Sequence, residues 1–148
     1  VRKSKKISKR TKIKELKSVE RTRKTALLTK EQIMELLTLL KRDFKNKINM
    51  RKENPLATKI KFTPLPSNMT ESLATHLLRD HGIVAELKDY DIELGGRIAD
   101  IIATSNKVTR KIEIKATGRN AFQYFGGKDI NSDYIMWLHF GDFFEKDE

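Results

Sequence analysis

Two runs, Arg97-Ile98-Ala99-Asp100-Ile101-Ile102-Ala103 and Thr109-Arg110-Lys111-Ile112-Glu113-Ile114-Lys115-Ala116-Thr117, are separated by Ser105-Asn106-Lys107. Both are rich in β-branched residues, and the turn residues between them read as a β-hairpin. In the second run Ile112, Ile114 and Ala116 take one face, and Glu113, Lys115 and Thr117 take the other. Residues two apart on a strand lie about 6.5–7 Å apart on one face. Glu113 and Lys115 can therefore serve one small site. Asp100 has apolar neighbours on both sides in sequence, and the tight turn brings it alongside the Glu113–Lys115 segment.

Working outward, a helix capped by Asn68 or Thr70 holds Leu73, Ala74, Leu77 and Leu78, and Gly82 stops it. A strand follows over 83–87, then a polar stretch through Asp89, Asp91, Gly95 and Gly96 before the hairpin. A short helix or ordered loop is expected over 119–132. The last strand, 133–140, is apolar enough to be central. The order is αβββαβ, an α/β (α+β) arrangement, with no internal repeats. Upstream, residues 49–68 read as a connection, with Lys59-Ile60-Lys61-Phe62-Thr63 as a short edge strand. Thr29-Lys30-Glu31-Gln32 forms a capping box that opens a helix. Its stripe of Ile33, Leu36, Leu37, Leu40, Phe44 and Ile48 calls for a partner surface in this chain or another subunit. Three regions result: a basic arm over 1–24, a helical region and linker over 25–66, and the αβββαβ module over 67–148.

The 148 residues suit one compact domain with an appended arm, and 38% hydrophobic content supplies one modest core. With no cysteine, disulfides, zinc fingers, iron–sulfur sites and cysteine nucleophiles are excluded. No apolar run is long enough for a membrane span, and the basic N-terminus lacks the pattern of a signal peptide. A cytoplasmic, non-secreted protein is expected. The opening Val1 fits a removed initiator Met or a fragment. The net charge of +11 is uneven. Residues 1–53 hold 19 Lys/Arg against 6 Asp/Glu, and residues 54–148 hold 12 against 14. That layout suits a polyanion. The alternatives are a solubilising tail or an anionic membrane surface, for which the arm lacks aromatic anchors.

Two carboxylates and a lysine on adjacent strands suit phosphodiester hydrolysis. Carboxylates are hard oxygen ligands for Mg²⁺, the metal acidifies water and neutralises phosphate charge, and lysine adds a compact cation near the phosphate. The competing reading is a weak ion pair on a half-exposed hairpin. Asp100, twelve intervening residues, then Glu113-Ile114-Lys115 resembles the PD-(D/E)XK motif of the restriction-endonuclease-like superfamily, and the αβββαβ order is similar to that superfamily's core. The resemblance covers about residues 68–140. It implies a nuclease core in which Asp100 and Glu113 ligate Mg²⁺, with Mn²⁺ able to substitute, and Lys115 assists the water. Ala99 stands where the motif's proline would be. Glu71 sits where some members carry a further metal-site carboxylate, although a capping-box or helix-dipole role competes. The Gln-x-x-x-Tyr signature of the exonuclease branch is missing, since Gln123 is followed by Gly127 four residues later.

The expected activity is therefore that of a Mg²⁺-dependent DNA endonuclease, most like a type II restriction endonuclease of prokaryotic or viral origin. It would cut double-stranded DNA as a homodimer, with a cognate DNA methyltransferase as a companion. The helix stripe at 29–48 is a candidate dimer surface. Thr117, Arg119, Asn120, Gln123 and Lys128 beyond the catalytic strand are candidate DNA contacts, as are Arg21, Arg23, Lys24, Arg51 and Lys52 in the basic front. The alternatives are a Holliday-junction resolvase with the same core, and a non-catalytic nucleic-acid-binding protein. His76 and Asp80 read as a solvent-facing ion pair, His81 as a helix-end cation, His139 as a core histidine, and Met50 as a buried helix-end residue. Gly126-Gly127-Lys128 lacks the rest of a phosphate loop.

Overall fold

A computed structural model of the chain describes residues 26–87, 99–119, 126–127 and 131–147. Helix α1 spans Lys30–Glu53. Its capping box forms as the sequence requires: Gln32 N–H donates to Thr29 Oγ1 at 3.2 Å, and Thr29 N–H donates to Gln32 Oε1 at 3.0 Å. The helix runs past Asn49, where a connection was expected, and ends at Asn54. There the backbone turns extended, and the Asn54 side chain accepts from Leu56 N–H at 3.0 Å. Pro55 opens a 3₁₀ turn over Pro55–Lys59.

The edge strand expected over 59–63 does not form. Side chains hold that segment along α1 instead. Phe62 stacks on Phe44 with ring centroids 4.8 Å apart, and the Arg51 guanidinium lies 3.9 Å over the Phe62 ring. Thr63 donates to Asp43 Oδ2 at 2.8 Å.

Helix α2 spans Ser67–Asp80. It starts earlier than a cap at Asn68 or Thr70 would place it. Pro66, with φ −62°, occupies the cap position without a side-chain hydrogen bond; its fixed φ sets the chain for entry into a helix. Thr70 Oγ1 donates to Ser67 O at 3.0 Å. The other end closes as a Schellman motif: Ile83 N–H bonds Leu78 O and Gly82 N–H bonds Arg79 O, both at 3.0 Å. Gly82 takes φ +76° with open space around its missing Cβ. Gly82→Ala is therefore expected to cost about 1 kcal/mol through backbone strain alone, measured as a shift in urea midpoint.

Four strands follow: β1 (Val84–Leu87), β2 (Ile101–Ser105), β3 (Val108–Thr117) and β4 (Tyr134–His139). They form one mixed sheet in the order β1-β2-β3-β4; β1/β2 and β2/β3 are antiparallel, and β3/β4 is parallel. The β2–β3 hairpin turns through Asn106 and Lys107 at φ 50° and 63°, the left-handed pair that a two-residue hairpin favours. The chain is thus a mixed α+β fold. The crossover element expected over 119–132 falls largely on residues outside the described set.

One sheet face packs on α2. Ala85, Ile101, Ala103, Ile112 and Ile114 are buried with Ala74, flanked by Leu78, Met136 and Leu138. A second cluster joins Ile33 and Leu37 of α1 to Met69 of α2 and to Phe144, with Leu36, Leu40, Phe44, Leu65 and Phe140 around it. The α1 stripe expected to serve as a dimer surface is therefore filled largely by the chain's own Met69 and Phe144, and a homodimer would need another face. Among the described residues β4 lies at the sheet's end rather than its centre, and Tyr134, Ile135 and Trp137 are exposed. No helix among them is long and apolar enough to cross a membrane.

Candidate active site

The β2/β3 register ends on the pair Ile101–Ile112, so Asp100 and Glu113 are the next residues beyond it on the two chain segments. Ile101 and Ile112 point into the α2-side core, and strand alternation sends Glu113 to the opposite face. Asp100 precedes β2 rather than lying inside it. Its Oδ2 accepts the Ile114 N–H at 2.8 Å. That amide is thus bonded to a side chain instead of a further backbone rung, and the ladder stops at Ile101–Ile112. Asp100 is 1% exposed and Glu113 8% exposed. Lys115 Nζ stands 3.6 Å from Glu113 Oε1, and its side chain is a quarter exposed. Two buried carboxylates and a lysine reaching towards solvent therefore share one end of the β2–β3 hairpin, as the alternation predicts.

Two buried carboxylates are hard oxygen donors of the kind Mg²⁺ takes, and Mg²⁺ completes its shell with water and substrate phosphate rather than an all-protein cage. Among the described residues no three His, Cys, Asp or Glu side chains cluster as a metal site. Asp100 and Glu113 are thus the candidate pair, without Glu71 as a third member of a preformed cluster. Glu71 lies a full turn inside α2 and is half-buried. The capping-box reading of Glu71 falls because the helix begins before Asn68.

At the end of β3, Thr117 Oγ1 accepts from Trp137 Nε1 at 3.0 Å. Arg119 is exposed, and its guanidinium lies 4.3 Å over Phe62 and 5.9 Å from Phe44. Thr117, Gly118 and Arg119 line a cleft of about 260 Å³ with Asp43, Phe44, Phe62 and Leu65. Hydrogen bonds from Lys47 and Thr63 hold the Asp43 carboxyl below its usual pKa. Arg51 is committed inside the chain: it stacks on Phe62 and donates to Ile60 O at 2.7 Å. Lys52 is exposed near the end of α1. Asn120, Gln123, Lys128, Arg21, Arg23 and Lys24 lie outside the described residues.

Two histidine readings change, those of His76 and His139, while His81 stands at the helix end as expected. His76 Nε2 bonds Leu28 O at 2.7 Å, while Asp80 pairs with Lys30 at 2.8 Å, so the two do not form an ion pair. His81 Nδ1 bonds Leu77 O at 2.8 Å, at the end of α2. His139 is exposed, not in the core. It sits on β4 with its ring edge-on to Trp137, centroids 5.2 Å apart. Met50 is likewise exposed at 43%, because the α1 stripe that packs inward does not include it.

The sequence reading overlooked Trp137. The parallel register sets Ile135, Trp137 and His139 beside Glu113, Lys115 and Thr117, on the face opposite Met136 and Leu138. Alternation along 134–139 carries this signal, but the run is apolar at nearly every position and reads as buried on both faces. The chain matches no family model, no curated protein and no solved structure.

Proposed function

We propose that the chain is a Mg²⁺-dependent DNA endonuclease with a restriction-endonuclease-like core, in which Asp100 and Glu113 hold the metal and Lys115 acts at the water and the scissile phosphate. The observation that supports this reading is the Asp100 carboxylate bonded to Ile114 N–H, next to Glu113 on β3, with Lys115 two residues along on the Glu113 face and 3.6 Å from its carboxylate. A Mg²⁺ ion held by that pair would supply positive charge to the phosphoryl oxygens and lower the pKa of water. Lys115 adds a compact cation that stabilises charge developing on the phosphate. The Asp100–Ile114 bond fixes one carboxylate, so the site is positioned by backbone rather than by mobile side chains. Observed elements in the order α2-β1-β2-β3-β4, with β4 parallel to β3, fit the αβββαβ pattern as far as the described residues run.

The particular role we propose is that of a type II restriction endonuclease, ahead of a junction resolvase. The test is cleavage of a mixed-sequence plasmid with and without Mg²⁺, followed by linear duplex against a four-way junction. Discrete Mg²⁺-dependent bands support restriction, and cleavage confined to the junction supports the resolvase. Absence of cleavage by folded protein leaves the non-catalytic binder.

The arm supplies a separate expectation. Deleting residues 1–24 removes 12 Lys/Arg and two Glu. If the arm lies on phosphates, affinity falls about equally for all DNA sequences and the dependence of log K on log salt becomes shallower. Fluorescence anisotropy across a salt series reads this directly, and an unchanged slope makes the arm a solubilising tail.

A further inference from the structure

We propose that the β3–β4 face beside the candidate active site binds an unpaired nucleobase, with the Trp137 indole as its stacking surface. Lys115 and Trp137 stand opposite one another in the parallel register. The indole is pinned, because Nε1 donates to Thr117 Oγ1 at 3.0 Å on the neighbouring strand. The residue is nevertheless 42% exposed, beside Ile135 at 39% and the His139 ring. A large aromatic at the end of a sheet, fixed by a hydrogen bond yet open to solvent, presents ring surface with little rotamer entropy left to lose on binding.

The occupant follows from charge and ring chemistry together. The chain carries +11, with +13 in residues 1–53 and −2 in residues 54–148, and on this same face the Lys115 ammonium pairs with Glu113 at 3.6 Å. A polyanion with flat aromatic groups is a nucleic-acid strand, and each base has a π-face that stacks on an aromatic side chain whatever the sequence. Bases inside a duplex are already stacked on one another. The platform therefore selects a single-stranded, branched or locally opened segment. The inference rests on the nucleic-acid part of the proposed function and not on cleavage.

Trp137 is the only tryptophan in the chain, so intrinsic fluorescence of the full-length protein reports this position alone. The protein is titrated in EDTA with an oligothymidine single strand and, separately, with a hairpin duplex of equal length. The single strand is expected to quench the emission to a plateau, and the duplex to quench it far less. Anisotropy of labelled oligothymidine should show Trp137→Ala binding about tenfold more weakly, with duplex binding almost unchanged. Trp137→Phe, which keeps a ring but loses the bond to Thr117, should recover much of the affinity. Circular dichroism confirms the fold of both variants, and Trp137→Phe carries the test if Trp137→Ala does not fold.

Single-strand binding without quenching, or equal quenching by the duplex, overturns the inference. So does emission that shifts with protein concentration in the absence of DNA, which would place a second copy of the chain on this face. Failure to bind either DNA overturns both the inference and the proposed function. Mg²⁺-dependent plasmid cleavage without quenching overturns the inference alone. Quenching without cleavage leaves the inference standing and removes the nuclease.

Discussion

Asp100→Asn, Glu113→Ala and Lys115→Ala are each expected to lower Mg²⁺-dependent plasmid cleavage by about a hundredfold or more, since in the proposed mechanism each removes a charge acting on the reacting phosphate or its metal. Asparagine is the better replacement at Asp100. It keeps a carbonyl oxygen to accept the Ile114 N–H while it removes the charge and turns the other oxygen into an NH2 donor. Asp100→Ala would strand that buried amide at a cost of about 1–3 kcal/mol and mix instability with lost chemistry. The three variants should differ in metal binding: Asp100→Asn and Glu113→Ala weaken it, and Lys115→Ala largely preserves it. Metal-free DNA binding should hold or tighten when either carboxylate loses its charge, because an anion near the phosphate is gone. If Glu113 and Lys115, 3.6 Å apart, formed only a structural pair, their loss would change stability modestly and leave cleavage intact. Plasmid assays on variants shown to be folded by circular dichroism decide the matter; a wild-type rate in Glu113→Ala or Lys115→Ala removes the assignment.

Met69→Ala is expected to destabilise the chain by about 3 kcal/mol, within the range for deleting a fully buried methionine side chain. Met69 is 0% exposed and lies where α1, α2 and Phe144 meet. Its removal opens a cavity in the cluster that fastens the N-terminal helix to the rest of the chain. Far-UV circular dichroism weights α1 heavily, and Trp137 emission reports β4. In urea both signals should move to a lower midpoint together. If only the helical signal shifts, α1 unfolds separately from the sheet.

The parts of the fold governed by neighbouring residues were legible in the sequence. The Thr29–Gln32 capping box, the Gly82 stop and the Asn106-Lys107 turn each depend on chemistry within a few residues, and each forms. The β2–β3 pairing that ends at Ile101–Ile112, just short of Asp100 and Glu113, was legible for the same reason: a tight turn fixes the register between two alternating runs. What failed depended on distant partners. Lys59–Thr63 alternates like a strand, but Phe44, Arg51 and Asp43 on α1 hold that segment along the helix, and alternation alone cannot supply a neighbouring strand. Asn68 and Thr70 have good capping chemistry, yet Pro66 starts α2 before them and leaves Glu71 inside the helix. The apolar run at 134–139 reads as buried on both faces, whereas only Met136 and Leu138 pack against the core. Thus Trp137 and His139 were misjudged for want of knowing what covers the second face. The α1 stripe told that a partner was needed but not that Met69 and Phe144 supply it.

The two sides of the candidate site differ in how the chain must close to build them. Asp100 and Glu113 meet through a hairpin with a two-residue turn, and hairpins of this kind zip up within microseconds. Trp137 reaches Lys115 only after the chain has travelled from Thr117 to Tyr134 and returned as a parallel strand, a closure that is entropically dearer and slower. The hairpin that carries Glu113 and Lys115 can therefore be in place before the aromatic surface docks beside it. Substitutions or insertions between β3 and β4 can accordingly shift how Trp137 sits beside Lys115 while the hairpin keeps its register, so one side of the candidate site can vary without the other being rebuilt.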